Sequence, residues 1–171
     1  MNVKELLKEA KSVTILHPTI PVETTVAEWL IPFTSPDTPI STAPKTAIDD
    51  PTIRIGVLSD DEASAYQIPT GDQKEWRFLR IQPGGVIEIY VSHTWFLFRL
   101  VSQLTDDWLM EDIETFTKGR LLKAAFKHLR PAWDSLLNNH ARTAKGFDAE
   151  EHIREMARLG FTHVEVNGLA A

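Results

Sequence analysis

The chain has no cysteine, which excludes disulfides and thiolate metal sites and removes any mark of redox compartment. It also lacks a run of lysine and arginine. Its 18 basic residues are scattered among 24 acidic ones, for a formal net charge of −6. That balance argues against nucleic acid and against an anionic membrane surface as partners. No stretch approaches the ~20 apolar residues of a membrane-spanning helix. The N-terminus, MNVKELLKEAKSV, places acids and lysines where a secretory signal needs an uninterrupted apolar run. The expectation is a soluble protein, cytoplasmic as the chain stands or secreted if a leader preceded it. The six histidines (17, 93, 128, 140, 152 and 163) form no HExxH or carboxylate-spaced pair, so neither a metal nor a cofactor is expected. Gly84-Gly85 follows one strand and opens another rather than a helix, which excludes a phosphate-binding loop.

What is present is ample material for a core: 43% of 171 residues are hydrophobic, enough for one or two domains. Val3, Leu6, Leu7 and Ala10 mark one face of a short helix, and Ser12 to Leu16 reads as a strand. Val26, Trp29, Leu30 and Phe33 predict a second helix over 25–33, its last turn broken by Pro32. The proline-rich 35–51 stretch reads as an exposed loop. Ile53, Ile55 and Val57 alternate in a strand over 52–58, and Ser59-Asp60-Asp61-Glu62 reads as a turn. Trp76 to Ile81 and Val86 to Val91 form a hairpin around Pro83-Gly84-Gly85. A helix capped by Ser92 or Thr94 then carries Phe96, Leu97, Leu100, Val101 and Leu104 as a wide apolar stripe. Trp95 and Trp108 are expected in the core. The pattern predicts an α+β layer over residues 1–120, a mostly antiparallel sheet with helices on one face. Residues 119–134 fit a helix by spacing and an extended segment by Pro131.

The last stretch, FDAEEHIREMARLGFTHVEVNGLAA, predicts a helix and then a strand. Asp148 and Glu151 have capping-box spacing, and Ile153, Met156 and Ala157 share a face. Phe161 is placed to close a Schellman ending on Met156. In the strand, Val164 and Val166 alternate with His163, Glu165 and Asn167. Such a strand needs parallel neighbours, which suggests the front end of something larger.

Two stretches, WRFLRIQPGGVIEIYVSHTWFLFRLVSQL (76–104) and LRPAWDSLLNNHARTAKGFDAEEHIREMARLGFTHVEVNGLA (129–170), resemble the front part of exo-acting glycoside hydrolases. The type is that of alpha-glucuronidases and beta-N-acetylhexosaminidases, in which a small α+β domain precedes a (β/α)8 barrel. Arg130, Trp133 and Asp134 match the family's first barrel strand, and Val164 to Asn167 match the second. The helix start His93-Thr94-Trp95-Phe96 departs from the family, lacking both of its glycines. The resemblance implies that residues 121–171 open an incomplete barrel. It places Asp134, Arg142, Glu165 and Asn167 near the catalytic rim as contacts to a carbohydrate. It implies no catalytic residue in this chain, because the carboxylate pair comes from later strands. The partner would be the remainder of the barrel, which this chain packs on and edges.

Without the resemblance the same residues have plainer readings. Asp134 caps a turn, Arg142 is a solvated loop cation, and Asn167-Gly168 is a turn pair. Glu165 is the sharper case, since a carboxylate on a strand between two valines needs a partner or an open cavity. The alternative function is a free-standing α+β interaction module without enzymatic activity.

Overall fold

The structure is a computed structural model that describes residues 1–16, 21–42, 51–123, 149–159 and 161, without the side chains of 21–24, 149, 150 and 152. Six strands form one mixed sheet: β1 (Ser12–Leu16), β2 (Ile40–Ser41), β3 (Thr52–Val57), β4 (Trp76–Ile81), β5 (Ile87–Val91) and β6 (Arg120–Lys123), in the order β2-β1-β3-β5-β4-β6. The helices are α1 (Val3–Glu9), α2 (Pro21–Leu30), α3 (Asp60–Ala65), α4 (Trp95–Ser102) and α5 (Ala149–Arg158).

The α+β expectation holds, but the sheet is mixed rather than mostly antiparallel. β1 runs parallel to β2 and to β3, and β3 runs parallel to β5; only the β4 pairings with β5 and β6 are antiparallel. Period-2 alternation fixes which side chains share a face and is silent on strand direction. Direction comes from the connections. The long stretch between β1 and β3, which carries α2, lets the chain return in the same sense, whereas the tight 82–86 turn forces the β4–β5 hairpin.

One face of the sheet carries the main core. Val13, Ile15, Ile53, Ile55, Ile87, Ile89, Val91, Leu79 and Ile81 stand in register there. α1, α2 and α4 cover them with Val3, Leu6 and Leu7, with Val26 and Leu30, and with Phe96, Leu97, Leu100 and Val101. β1 and β5 are buried along their whole length, as befits central strands flanked on both sides. α1 starts on a capping box between Asn2 and Glu5.

α3 departs from the expected one-sided arrangement. Its Ala63 joins Leu16, Leu58, Ile68, Trp76, Phe78 and Tyr90 in a second cluster, made by the opposite side chains of β1, β4 and β5. The Ser59-to-Glu62 stretch is therefore a helix start and not a plain turn. Ser59 accepts from the Glu62 amide while the Glu62 carboxylate accepts from the Ser59 amide at 2.8 Å, a reciprocal capping box.

Three further details differ from the sequence reading. The 35–51 stretch contains the short strand β2, with Val13 opposite Ile40. α2 begins at Pro21 and passes into a 3-10 turn over Ile31–Phe33, where proline sits near the start and costs no hydrogen bond. β6 pairs with β4 through Leu121 opposite Phe78 and Leu122 opposite Arg77, so the sheet runs past residue 120 and the start of the ambiguous 119–134 segment is strand. Among the described residues, no helix is long and apolar enough to cross a membrane.

Candidate functional site

All four residues placed at a carbohydrate site by resemblance, Asp134, Arg142, Glu165 and Asn167, lie outside the described residues, as do the proposed barrel strands 126–134 and 163–167. The helix between them, α5, is described, and it sits beside α2 and α4. A groove of about 470 Å³ opens between α2, α4 and α5.

One wall of the groove includes an irregularity in α4. After Ser102 the helix widens into one π turn over Gln103–Asp107, where Thr105 Oγ1 donates back to the Val101 carbonyl at 3.1 Å and Ser102 Oγ donates to Asp106 Oδ2 at 2.7 Å. Widened turns of this kind often re-aim side chains at working surfaces. Here Asp106 is presented to α5, whose Arg158 donates to Asp106 Oδ1 at 3.3 Å and lies 6.0 Å over the Trp29 ring. Trp29 in turn packs on Phe98 of α4 at 4.6 Å. Asp106 thus joins α4 to α5. The Arg158–Asp106 pair is about half exposed, so it contributes at most ~1 kcal/mol and serves to set orientation.

The charged side of α5 borders the groove and stays largely exposed. Glu151, Arg154, Glu155 and Arg158 recur at i, i+3, i+4 and i+7 and line the groove. Of its apolar residues, Ile153 is 46% exposed and Leu159 49%, while Met156 and Ala157 are half-buried. The helix ends as expected, with the Phe161 amide donating to the Met156 carbonyl at 3.0 Å, the 6→1 bond of a Schellman motif.

A second polar constellation lies on the α3 side of the sheet. Glu88 is fully buried. Its carboxylate accepts from Arg80 Nε at 2.6 Å, from Gln82 Nε2 at 2.7 Å and weakly from Tyr90 Oη at 3.5 Å. Arg80 also donates to the Tyr66 carbonyl at 3.1 Å. A buried acid with its lone pairs so occupied is not poised to give or take a proton from a substrate; it ties β4 to β5. The rule that singles out Glu165 between valines applies equally to Glu88 between Ile87 and Ile89, and would have found this network.

Burial, then the Glu88 and Tyr66 charges, push the Tyr90 hydroxyl well above its ordinary value, with Arg54 opposing. Because the folded-state value is raised, the contribution to stability is present below the unfolded pKa of 10.0 and is lost as pH rises beyond it. The stability gap between the native protein and Tyr90→Phe is expected to change above pH 10 by up to about 1.4 kcal/mol per pH unit, the native protein falling faster. Parallel urea titrations at pH 8 to 11 check this; curves that keep a constant gap would refute it.

At the start of α4, Trp95 is not a core residue. It is 40% exposed and stacks on His93 at 4.6 Å, and His93 Nδ1 shares a 2.9 Å hydrogen bond with Ser92 Oγ. Trp108 is in the core, as expected. Among the described residues no group of three or more His, Asp or Glu is arranged to hold a metal ion. No protein-family model matches the chain, and no curated protein matches it with significant similarity.

Proposed function

We propose that this chain is the non-catalytic N-terminal part of an exo-acting glycoside hydrolase, in which residues 1–120, with the rest of β6, form an accessory α+β layer. In this reading α5 is the first helix of the catalytic barrel. The observation that carries it is the orientation of α5. A barrel helix packs its apolar stripe on the strands within and turns its charged side outward. α5 lines the groove against α2 and α4 with its charged residues and leaves Ile153 and Leu159 about half exposed. A helix that merely completed the α+β layer would bury the whole of its apolar stripe on α4.

The accessory layer then holds the barrel through the Arg158–Asp106 and Arg158–Trp29 contacts, at the outside of the barrel wall. Asp134, Arg142, Glu165 and Asn167 are the proposed carbohydrate contacts at its rim. The product of the whole reading frame is expected to hydrolyse an aryl glucuronide or an aryl N-acetylhexosaminide, and residues 1–171 alone neither. A reading frame that ends at Ala171, or a longer product inert on both substrates, would sink this reading and favour the interaction module.

A further inference from the structure

On its α4 side, the groove between α2, α4 and α5 offers acceptors. Ser102 and Thr105 line it there, and they are only 4% and 6% exposed. Ser102 Oγ donates its proton to Asp106 Oδ2 at 2.7 Å, and Thr105 Oγ1 donates its own to the Val101 carbonyl at 3.1 Å. A hydroxyl whose proton is committed has lone pairs alone to offer a ligand. Beside these oxygens Val101, Pro32 and Phe33 supply carbon surface.

The charged lining is three carboxylates, Glu28, Glu151 and Glu155, against two guanidinium groups, Arg154 and Arg158. Arg158 is engaged by Asp106 at 3.3 Å and by Glu155 at 3.6 Å, and Glu151 and Arg154 have partners as well. Glu28 differs. Its side chain is exposed, and among the described residues no hydrogen bond or ion pair reaches its carboxylate. It also stands in the last turn of α2, which holds no basic residue. Its charge therefore adds to the negative end of the helix dipole, where a cation is favoured and an anion is not.

We infer that this groove is a binding site for a small organic cation, a primary ammonium group on an aliphatic body. An ammonium carries three donors and no acceptor, which suits Glu28, the end of α2 and hydroxyls that can only accept. The aliphatic body rests on Phe33, Pro32 and Val101. The volume of about 470 Å³ is that of a small-molecule pocket, ~300–1,000 Å³. A carboxylate of the same size would meet the Glu28 charge and the same lone pairs. The site does not depend on the glycosidase reading, in which Glu28 has no part.

The test titrates the 171-residue chain with hexylammonium chloride and, separately, with hexan-1-ol, sodium hexanoate and sodium chloride, the salts at matched ionic strength. The readouts are the Val101 methyl and Trp29 indole N–H resonances. The methyl of Met110, which is 69% exposed and does not line the groove, reports unspecific contact. Hexylammonium is expected to move the Val101 and Trp29 signals saturably and to leave Met110 in place. The alcohol and the carboxylate, which share its chain, should bind about fivefold more weakly or not at all. Glu28→Gln keeps the shape and removes the charge. It should weaken hexylammonium binding by a similar factor and melt no lower than the native chain, whereas Glu28→Asp should retain part of the binding. Hexan-1-ol or hexanoate binding as tightly as hexylammonium would overturn the cation site. So would Met110 moving in step with Val101, or Glu28→Gln binding hexylammonium as the native chain does.

Discussion

Glu88→Ala is expected to lower the stability of the protein by about 3–5 kcal/mol, a large share of the 5–15 kcal/mol that holds a typical domain folded. The methyl group leaves Arg80, whose side chain is only 17% exposed, without the carboxylate that faces it at 2.6 Å. It also strips the Gln82 amide of its acceptor. Most of the loss is therefore the cost of stranding buried donors, and less of it is the worth of the ion pair itself. Two companions separate these terms. Glu88→Gln keeps one oxygen for Arg80 but turns an NH2 group towards the Gln82 NH2, so it should fall between the native protein and Glu88→Ala. The double variant Arg80→Met with Glu88→Leu removes both charges and fills the space with carbon, and is expected to be more stable than Glu88→Leu alone. Urea unfolding of the native protein, Arg80→Met, Glu88→Leu and the double variant gives the coupling directly. A double variant that loses the sum of the two single losses would show that the pair does not act as a unit.

The Glu88 network also shows how far the fold was legible. Alternation in IRIGV, WRFLRI and IEIYV identified the strands and their core faces, because period-2 burial is written residue by residue. The wide stripe of α4 was legible for the same reason. Strand direction was not, since Ile53 opposite Val13 or Ile87 would bury as well in either sense; only the connections decide it, through α2 between β1 and β3 and through α3 and β4 between β3 and β5. β2 is two residues long beside Pro39 and carries no periodic signal. α3 was hidden by its own acids. Asp60 and Asp61 suggest a turn, yet Ser59 and Glu62 have the spacing of a capping box.

The seat of α5 was half legible. Its apolar stripe and its Schellman ending follow from Ile153, Met156, Ala157 and Phe161. Which neighbour receives which side of the helix depends on the π turn at Gln103–Asp107, an insertion in the hydrogen-bond ladder that no local residue pattern announces. That turn sends Asp106 to Arg158 on one flank and Gln103 to Arg77 on the other.

Gly119 is where a single methyl group should cost most for its size. The residue links the 3-10 turn over Ile113–Phe116 to β6 with φ of +79°, a conformation that costs a non-glycine residue about 1–2 kcal/mol. A Cβ built there would come to 2.3 Å from Cζ of Phe78 and 2.4 Å from Cε2. Phe78 cannot step aside freely. It is 1% exposed within the α3-side cluster, and its ring also carries the Arg80 guanidinium at 5.3 Å. Gly119→Ala therefore combines backbone strain with overpacking worth a further 1–3 kcal/mol, for an expected loss of about 2–5 kcal/mol. The loss should appear locally first. β6 hangs on β4 by four residue pairs, so amide exchange at Leu121 and Leu122 should accelerate before that at Ile87 and Ile89. Phe78→Leu on the Gly119→Ala background makes room for the new methyl and should recover part of the stability, although Phe78→Leu alone weakens the cluster. If the double variant is worse than Gly119→Ala by the full cost of Phe78→Leu, the clash with Phe78 is not the cause, and the positive φ alone sets the requirement for glycine.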